Sequence, residues 1–434
     1  MSPVSAHEPL PELADFLRPF ARHFQCAEGR DDLERYSTGF LSDLPRKNAQ
    51  TMASGVPGTS SQRLQELVTG IQWEETAFNR QRVERMRDEG VLGAGVLIFD
   101  DTSFVKQGTS SVGVARPYCG TVGKVANGQV AVTCVYADLA VHWPVSVRLY
   151  LPEAWAEDPL RRQQAGVPQE VEFQTKPELA LKELDEAREL SIPHQAVIAD
   201  ADYGKDPAFL EGLETRGESY GVAVPCDFSV EVEEEPSLGP RRADKVLQGL
   251  PRRSWKTVCW REGAKGKLRK KFVALRAWRT VGGHRKQLGG LLGERPGRGQ
   301  KGEGRYSFSN FPPETPLKRL VEVAHRRWPI EHFHEDGKDL LGWDDYQGRL
   351  WTGFHRHAVI VMLFYSFLVW REWKQRQSKP RTRGRPRDPF SPRPDRRRQS
   401  LAQMHREVVD ALFEMAVEER VRSSLAHESR SSPN

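Results

Sequence analysis

The chain has 434 residues, a formal net charge of +6 and a sequence pI near 9.0, so it can form two to four domains and its charge favours a polyanionic partner. Its five cysteines, at positions 26, 119, 134, 226 and 259, include no Cys-x-x-Cys pair, which argues against a zinc finger and indicates a reducing cytoplasm. The N-terminus lacks a basic region followed by an apolar core, so we predict no signal peptide.

Residues 1–90 have the periodicity of helices. Two groups of apolar residues recur at helical spacing: Leu13, Phe16, Leu17 and Phe20, then Leu64, Leu67 and Val68. Pro57-Gly58 separates the two groups. We predict a helical N-terminal module, although no clear helix-turn-helix signature is present.

From about residue 91 the pattern changes to strands. We predict strands at 96–99, 130–136 and 145–150, a helix at 176–190 and a strand ending at Asp200. Strands, helix and strand in this order favour a mixed α/β sheet.

Two of these strands end in acidic residues. The apolar run at 95–99 leads into Asp100-Asp101-Thr102, and the run at 196–199 leads into Asp200-Ala201-Asp202. Ligands of open α/β sheets gather at the carboxyl ends of strands. A single Asp in such a place is more often a turn residue or a helix cap. Two of them, together with a third acid described below, favour a functional site.

More than one hundred residues separate Asp200 from that third acid, so this segment must contain structure of its own. We predict strands at 272–277 and 306–308 and turns at 282–283 and 296–299. Trp255, Trp260 and Trp278 are interleaved with lysines and arginines. The tryptophans either stack on an extruded base or form the core of a small β domain, and we favour the core for at least two of the three.

The third acid is Glu331, four residues after Arg327 and seven before Lys338. At about 3.6 residues per turn these offsets place all three on one helix face. Cations beside a carboxylate suit a site that binds a divalent ion and a phosphodiester. The alternative is a solvated helix with an Arg/Glu pair. His332 and His334, two apart on the helix, face different directions and so do not suggest zinc.

The last regions of the chain differ in polarity. The apolar run at 358–370 is shorter than the roughly 18 residues of a membrane span, and it predicts a buried helix behind the Glu331 helix. Residues 374–398 are crowded with Lys and Arg, which fits a DNA-binding arm and a solvated linker equally well.

Asp101, Asp200 and Glu331, with Arg327 and Lys338, resemble the DDE superfamily of bacterial insertion-sequence transposases, in the insertion-sequence-701-like branch with a Tyr-Arg-Glu-Lys signature. The Arg and Lys spacings match that signature, whereas its Tyr is replaced by Ala324. Further similarity lies in the stretch that begins at Asp101-Thr102-Ser103 and in residues 111–132. The resemblance covers roughly residues 30–370.

The resemblance implies a ribonuclease-H-like mixed sheet as the catalytic core, with a strand-rich insertion. It assigns the metal ligands to Asp101, Asp200 and Glu331. Asp101 is preferred over Asp100 because the family has its ligand directly before Thr. Asp200 is preferred over Asp202 because relatives usually have Gly at the latter position, which leaves Asp202 as a helix cap.

Carboxylates are hard oxygen ligands, and three of them can hold two Mg²⁺ (or Mn²⁺) ions at the spacing of about 3.5 to 4 Å used in phosphodiester displacement. The ions activate water or a DNA 3′-hydroxyl and stabilise the leaving oxygen. Arg327 and Lys338 are then expected to bind phosphates, with Trp260 beside them as a DNA contact.

We therefore predict a DNA transposase that cleaves the terminal inverted repeats of its element and joins them to target DNA. It is expected to act as a homodimer on DNA, at the nucleoid in the bacterial cytoplasm and away from membranes. The predicted regions are a helical N-terminal module that recognises DNA ends or caps the core (1–90), the first part of the core (91–205), the insertion (206–314), the catalytic helix and end of the core (315–373), and a basic linker with a terminal helix (374–434).

The alternative functions are a cleavage-deficient DNA-binding relic or regulator, which Ala324 favours, and a metal-dependent nuclease of this fold that does not transpose.

Overall fold

The computed structural model describes residues 9–116, 118–119, 123–263, 266–296, 304–378 and 399–431. Five helices precede the first strand: α1 (Pro11–Leu17), α2 (Ala27–Leu41), α3 (Ala49–Gly55), α4 (Ser61–Thr69) and α5 (Glu75–Asp88). Asn48 and Ser60 cap α3 and α4 by accepting hydrogen bonds from backbone amides. Every residue of the two predicted apolar groups is buried, which confirms the helical periodicity.

The core of the sheet consists of five strands. They are β1 (Gly95–Val105), β4 (Gly128–Ala137), β5 (His142–Leu149), β6 (His194–Ala199) and β7 (Tyr220–Val224), while β2 (Tyr118–Cys119) and β3 (Lys124–Val125) form a separate small hairpin. Their spatial order is β5-β4-β1-β6-β7. The pairs β5/β4 and β4/β1 are antiparallel, and β1/β6 and β6/β7 are parallel. This is the predicted ribonuclease-H-like mixed sheet.

Helices connect the strands of this core. They are α6 (Glu153–Ala156), α7 (Pro159–Ala165), α8 (Lys176–Glu189), α9 (Ala201–Gly204) and α10 (Pro207–Thr215). The boundaries of α8 agree with the predicted helix at 176–190. Thr175 and Glu178 form a capping box at its start, in which each side chain accepts from the other residue's backbone amide.

The segment after β7 extends the same sheet. Its elements are β8 (Ser229–Val232), β9 (Arg241–Arg242), α11 (Ala243–Gln248), β10 (Lys256–Gly263), β11 (Gly266–Val281), β12 (His284–Glu294) and β13 (Arg305–Ser309). The sheet runs on from β7 through β13, β12, β11, β8 and β9, with β10 also paired to β11. Gly282 and Gly283, both at positive φ, form the predicted turn between β11 and β12. Of the predicted turn at 296–299, residues 297–299 lie outside the described residues.

In the described part of the chain after β13, the structure has four α-helices: α12 (Leu317–Ala324), α13 (Trp328–Asp339), α14 (Trp351–Ser378) and α15 (Leu401–Ser431). The predicted apolar run lies within α14, which at 28 residues is long and apolar enough to cross a membrane; the prediction that it was too short is wrong. However, 89% of its apolar window is buried inside the protein, as expected of a core helix. Tyr365 of α14 packs against Phe333 of α13, with ring centroids 5.3 Å apart, so the buried helix lies behind α13 as predicted. Residues 379–398, which hold most of the basic run, lie outside the described residues.

Candidate active site

The parallel pairing of β1 and β6 brings the two acidic strand ends together. Phe99 is in register with Ala199, so Asp100 and Asp200 follow adjacent positions of neighbouring strands. Strand β1 continues beyond Asp100 because β4 still pairs with it, whereas β6 ends at Ala199. The acids therefore lie at an edge that β6 leaves open, where side chains from other elements can approach.

The two carboxylate oxygens of Asp200 have different partners. Its Oδ1 accepts hydrogen bonds from the backbone amides of Asp202 at 2.9 Å and Tyr203 at 3.3 Å, and so caps α9. Its Oδ2 faces Arg327. Asp202 does not cap a helix, contrary to the expectation, because Asp200 already occupies that position; it instead pairs with Lys205 at 2.7 Å.

Arg327 joins three carboxylates. Its Nη1 lies 3.2 Å from Asp200 Oδ2, and its Nη2 lies 3.0 Å from Glu331 Oε1 and 3.7 Å from Asp100 Oδ2. The arginine immediately precedes α13, and Glu331 lies in the first turn of that helix, so the predicted four-residue spacing does bring them into contact. One guanidinium thus links the start of α13 to the ends of β1 and β6.

Burial and charge change the acidity of this group. Burial raises the pKa of Asp100 to about 7, against the opposing effect of Arg327 and with the help of Asp200 and Asp101. Burial alone would lower the pKa of Arg327, but Asp100, Glu331 and Asp200 raise it, so the guanidinium keeps its charge. A permanent cation therefore stabilises a cluster of partly buried acids.

Asp101 has a different partner. Successive side chains of a strand point to opposite faces, and the Oδ2 of Asp101 lies 2.9 Å from the Nζ of Lys176, in the first turn of α8. Burial raises the pKa of Asp101, while Lys176 lowers it and Asp200 raises it. The three predicted ligands therefore have different partners. Asp200 and Glu331 pair with Arg327, as Asp100 does, whereas Asp101 pairs with Lys176 of α8.

Lys338 reaches β1 from α13. Its Nζ donates to Thr102 Oγ1 at 2.8 Å and to the carbonyl of Ser103 at 3.0 Å. These contacts place Lys338, the third residue of the predicted helix face, beside the residues that follow Asp101 in β1. Lys338 and Glu331 lie at opposite ends of α13.

A partly buried histidine supports the same junction. The Thr133 hydroxyl donates to the Asp100 carbonyl at 3.0 Å, so it accepts from the Nε2–H of His334 at 2.9 Å. Burial lowers the pKa of His334 to about 3, which keeps the imidazole neutral. His332, in contrast, is exposed and its ring packs edge-on to Trp328 at 4.8 Å. The two histidines face different directions, as predicted.

A cleft of about 720 Å³ lies beside these residues. Asp200, Arg327 and Glu331 line it, and the insertion contributes Glu294 of β12 and Arg305 of β13. The cleft therefore lies between the carboxylate cluster and the strands of the insertion, where an extended substrate would contact both.

The insertion reaches the start of α13 through a β-bulge. The register of β10 against β11 shifts between Cys259 and Arg261, at Trp260. The Trp260 ring stacks on His325, with centroids 4.2 Å apart and planes at 17°, and the Arg261 guanidinium lies 4.4 Å from the centroid of the Trp328 ring. A bulge changes the direction of the side chains around it. Here the consecutive residues Trp260 and Arg261 contact His325 and Trp328, which flank Arg326-Arg327 in the sequence.

Two of the three tryptophans of the insertion pack in apolar surroundings. Trp255 is buried in the apolar core of the insertion, and Trp260 packs edge-on to Phe272 in a second apolar cluster. Trp255 therefore belongs to a core, as expected of at least two of the three, whereas Trp260 is only partly buried against its cluster. One face of Trp260 is covered by His325, whose Nε2 lies 2.8 Å from Glu294 Oε2.

The chemistry of the donor set fits a divalent cation. Three carboxylates converge on one positive group, and oxygen ligands are what Mg²⁺ prefers. Among the residues that the structure describes, no group of three His, Cys, Asp or Glu side chains is already arranged to hold a metal ion. Arg327 lies between the acids instead, so metal binding at this place requires the guanidinium to move.

Two partners in this site were not found from the sequence. Lys176 and Thr133 contact the acids or their backbone, but neither belongs to a recognisable motif. A lysine at the start of a helix and a threonine in a strand are common, and only the folded sheet brings them beside β1.

Comparison with known proteins gives two findings. A family model described as "DDE superfamily endonuclease" matches residues 19–286, a range that contains Asp100, Asp101 and Asp200 and ends before Arg327 and Glu331. The chain is also 26% identical over 310 residues to a protein of Microchaete diplosiphon named "Probable transposase for insertion sequence element IS701", covering 71% of this chain and 74% of that relative.

Proposed function

The chain belongs to the DDE superfamily of endonucleases, and on this basis we propose that it is a DNA transposase of an insertion sequence. Its reaction is metal-dependent cleavage at the element's terminal inverted repeats, followed by transfer of the freed strands into target DNA. The name of the Microchaete diplosiphon relative supports the element type. A chromosomal substrate would place the protein at the nucleoid of the bacterial cytoplasm.

The observation that carries this proposal is the convergence of Asp100, Asp200 and Glu331 on Arg327 at the open edge of a ribonuclease-H-like sheet. Isolated helix caps or surface ion pairs would not bring acids from two strands and one helix to a single cation. The adjacent cleft gives a DNA strand access to the same edge.

We propose Asp101, Asp200 and Glu331 as the catalytic metal ligands. Asp101 pairs with Lys176, but it lies near enough to Asp200 for that acid to raise its pKa, which supports a shared site. Asp100 is a supporting acid beside them. Endonucleases of this superfamily generally use divalent ions, and we propose two Mg²⁺ (or Mn²⁺) here. When bound, such ions supply an activated water or 3′-hydroxyl and stabilise the leaving oxygen. No side chain of the chain has to act as a covalent nucleophile.

The cations of the site act on the DNA. Arg327, once released from the carboxylates, can bind two oxygens of a phosphate with its planar guanidinium. Lys338 links α13 to Thr102 and Ser103 of β1, directly after Asp101. From there it can contact a DNA phosphate next to the one that Arg327 binds. Trp260 and Arg261 contact His325 and Trp328, on either side of Arg326-Arg327, and we propose that Trp260 also contacts the DNA.

The remaining regions serve DNA recognition and assembly in this proposal. We assign the five N-terminal helices to binding of the element ends, and the basic segment 374–398 to backbone contacts. Cleavage of two ends in concert requires two active sites, so we propose a homodimer on DNA.

The experiment that tests the proposal uses the purified full-length protein and a DNA fragment carrying one element end. Cleavage at the end of the repeat that requires Mg²⁺ or Mn²⁺ is the expected result. D200N must lose this activity while it still binds the fragment. Cleavage by D200N at the wild-type rate would refute the assignment of the site.

A second candidate is a DNA-binding relic that has lost cleavage. It is favoured by Ala324, which lines the cleft at the position of the signature Tyr and offers no hydroxyl to a phosphate. The two functions differ in one result: the relic would bind end-containing DNA and leave it intact with either metal.

A further inference from the structure

Lys176 begins α8 and pairs with Asp101. Its Nζ lies 2.9 Å from Asp101 Oδ2, and its side chain is 35% exposed. The capping box of Thr175 and Glu178 fixes the backbone at this point. A cation in the first turn opposes the helix dipole, so the charge of Lys176 does not stabilise α8. The position instead brings one positive charge to the acids of β1.

Lys176 offsets a crowding of carboxylates. Burial raises the pKa of Asp101, and Lys176 lowers it. Asp200 and Asp202 lie near enough to Asp101 to raise its pKa further. The pKa of Asp202 is lowered, chiefly by its hydrogen bond with Lys205 and in smaller part by Lys176. Lys176 therefore contacts one carboxylate of the site and lies within electrostatic reach of a second.

The pairing of Lys176 with Asp101 conflicts with the proposed role of Asp101 as a metal ligand. A divalent ion on either oxygen of Asp101 would lie a few ångströms from the lysine ammonium, and like charges at that range repel each other in a partly buried place. The lysine stem is flexible, and a third of the side chain is already exposed. Binding of an ion at Asp101 would therefore release the ammonium without moving α8.

We propose that Lys176 exchanges Asp101 for a DNA phosphate when a divalent ion binds, which makes it a further substrate-binding residue of the site. The exchange rests on the proposed function, which supplies both the DNA and the ion. It couples the binding of the two ligands, because the ion frees the lysine for the phosphate and the phosphate keeps the lysine away from the carboxylate. Such a coupling is reciprocal, so each ligand strengthens the binding of the other.

Lys205 offers a matched comparison with Lys176. It is also a lysine on an acid of this cluster, with its Nζ 2.7 Å from Asp202 Oδ1. Asp202 is not among the proposed metal ligands, so this pair should stay closed when an ion binds. K205Q removes the same charge from the same cluster as K176Q does and leaves the exchange intact.

A double-mutant cycle tests whether Asp101 keeps Lys176 away from DNA. Fluorescence anisotropy gives the Kd of the full-length protein for an end fragment that is already cut at the tip of the element, in EDTA. With Asp101 present, K176Q should raise the Kd less than about twofold. In the D101N background, where the lysine is free, K176Q should raise it about tenfold, which corresponds to about 1.4 kcal/mol. K205Q should have the same effect in both backgrounds. Equal effects of K176Q in the two backgrounds would overturn the proposal.

Mg²⁺ should release the lysine as D101N does. In Mg²⁺ at constant ionic strength, K176Q should raise the Kd of the otherwise wild-type protein about tenfold, while the effect of K205Q should not depend on Mg²⁺. K176R keeps the positive charge and should bind within about twofold of the wild type. A loss in K176Q that is the same with and without Mg²⁺, or one that K176R does not restore, would also overturn the proposal.

The outcomes separate the exchange from the proposed function, because the cut fragment makes binding the only readout. A protein that cuts end-containing DNA but shows no coupling between Asp101 and Lys176 would refute the exchange alone. A protein that shows the coupling but never cuts intact DNA would refute the proposed function alone. A protein that does not bind end-containing DNA would refute both.

Discussion

The Nη1 of Arg327 lies 3.2 Å from the Oδ2 of Asp200. This pair joins the residue before α13 to the residue after β6, and the same guanidinium also binds Glu331 within the helix. The position of α13 on the sheet is therefore set partly by the charges of the site itself. Changes to these charges should affect both the reaction and the stability of the junction.

The first prediction concerns the carboxylates. D101N, D200N and E331Q should each reduce cleavage at least about a thousandfold, because each removes a proposed metal ligand, and bound metal supports several kcal/mol of transition-state stabilisation. DNA binding, measured by gel shift, should change little. D100N is the matched control from the adjacent position and should lose only about tenfold. An inactive D100N beside an active D101N would transfer the ligand assignment to Asp100.

The second prediction concerns Arg327. Without metal, R327A should lower the free energy of unfolding by about 1 to 3 kcal/mol, since the acids lose a charged hydrogen-bond partner. Mg²⁺ should then stabilise R327A more than the wild type, because no guanidinium competes for the carboxylates. Thermal melts with and without Mg²⁺ measure both effects. If Mg²⁺ raised the melting temperature of the two proteins equally, Arg327 and the ion would not compete for the same carboxylates.

The third prediction concerns the bulge. W260A should slow cleavage at least about tenfold while the free energy of unfolding falls by less than the roughly 3 to 5 kcal/mol typical of a fully buried tryptophan. W260F keeps a ring on His325 and should recover most of the rate. W278A changes a tryptophan of the insertion whose ring lies beside Arg285 rather than on His325, and it serves as the control. A full core-sized loss of stability in W260A would assign that residue to structure instead.

The fourth prediction concerns acid sensitivity. Burial lowers the pKa of His357 to about 3, so this residue stays neutral in the folded protein and is protonated below about pH 6.5 when unfolded. The unfolded state then binds more protons, and stability is lost as the pH falls from about 6.5 toward 3. Between pH 7.5 and 5.0, H357Q should lose about 2 kcal/mol less than the wild type in urea unfolding.

The matched control for His357 is the exposed His284. H284Q should show the wild-type dependence of stability on pH. If H357Q also matches the wild type at both pH values, His357 is not held neutral by the fold.

The fifth prediction concerns the basic segment between α14 and α15. Replacing its arginines between Arg381 and Arg398 with Gln should flatten the salt dependence of DNA affinity. Each lost phosphate contact reduces the slope of log K against log salt by about 0.9 on duplex DNA. Fluorescence anisotropy across a salt series gives the slope. An unchanged slope would mean that the segment is only a linker.

The sequence was sufficient for the elements that carry strong local patterns. Apolar runs ending in acids predicted β1 and β6, and the spacing of Arg327 and Glu331 predicted the contact that they make at the start of α13. The pairing of Asp101 with Lys176 could not be predicted, because it depends on how α8 packs beside the sheet rather than on any local pattern. The residue that caps α9 could not be predicted either. Asp200 and Asp202 are both of a residue type that caps helices, and Asp200 is the cap because β6 ends directly before it.

The most direct measurement is anomalous diffraction from crystals of the protein bound to cleaved end DNA and Mn²⁺. The account predicts Mn²⁺ peaks within about 2.6 Å of carboxylate oxygens of Asp101, Asp200 and Glu331, with Arg327 moved onto a DNA phosphate. Peaks bound elsewhere on the chain, or DNA whose cut end lies away from these three residues, would contradict it.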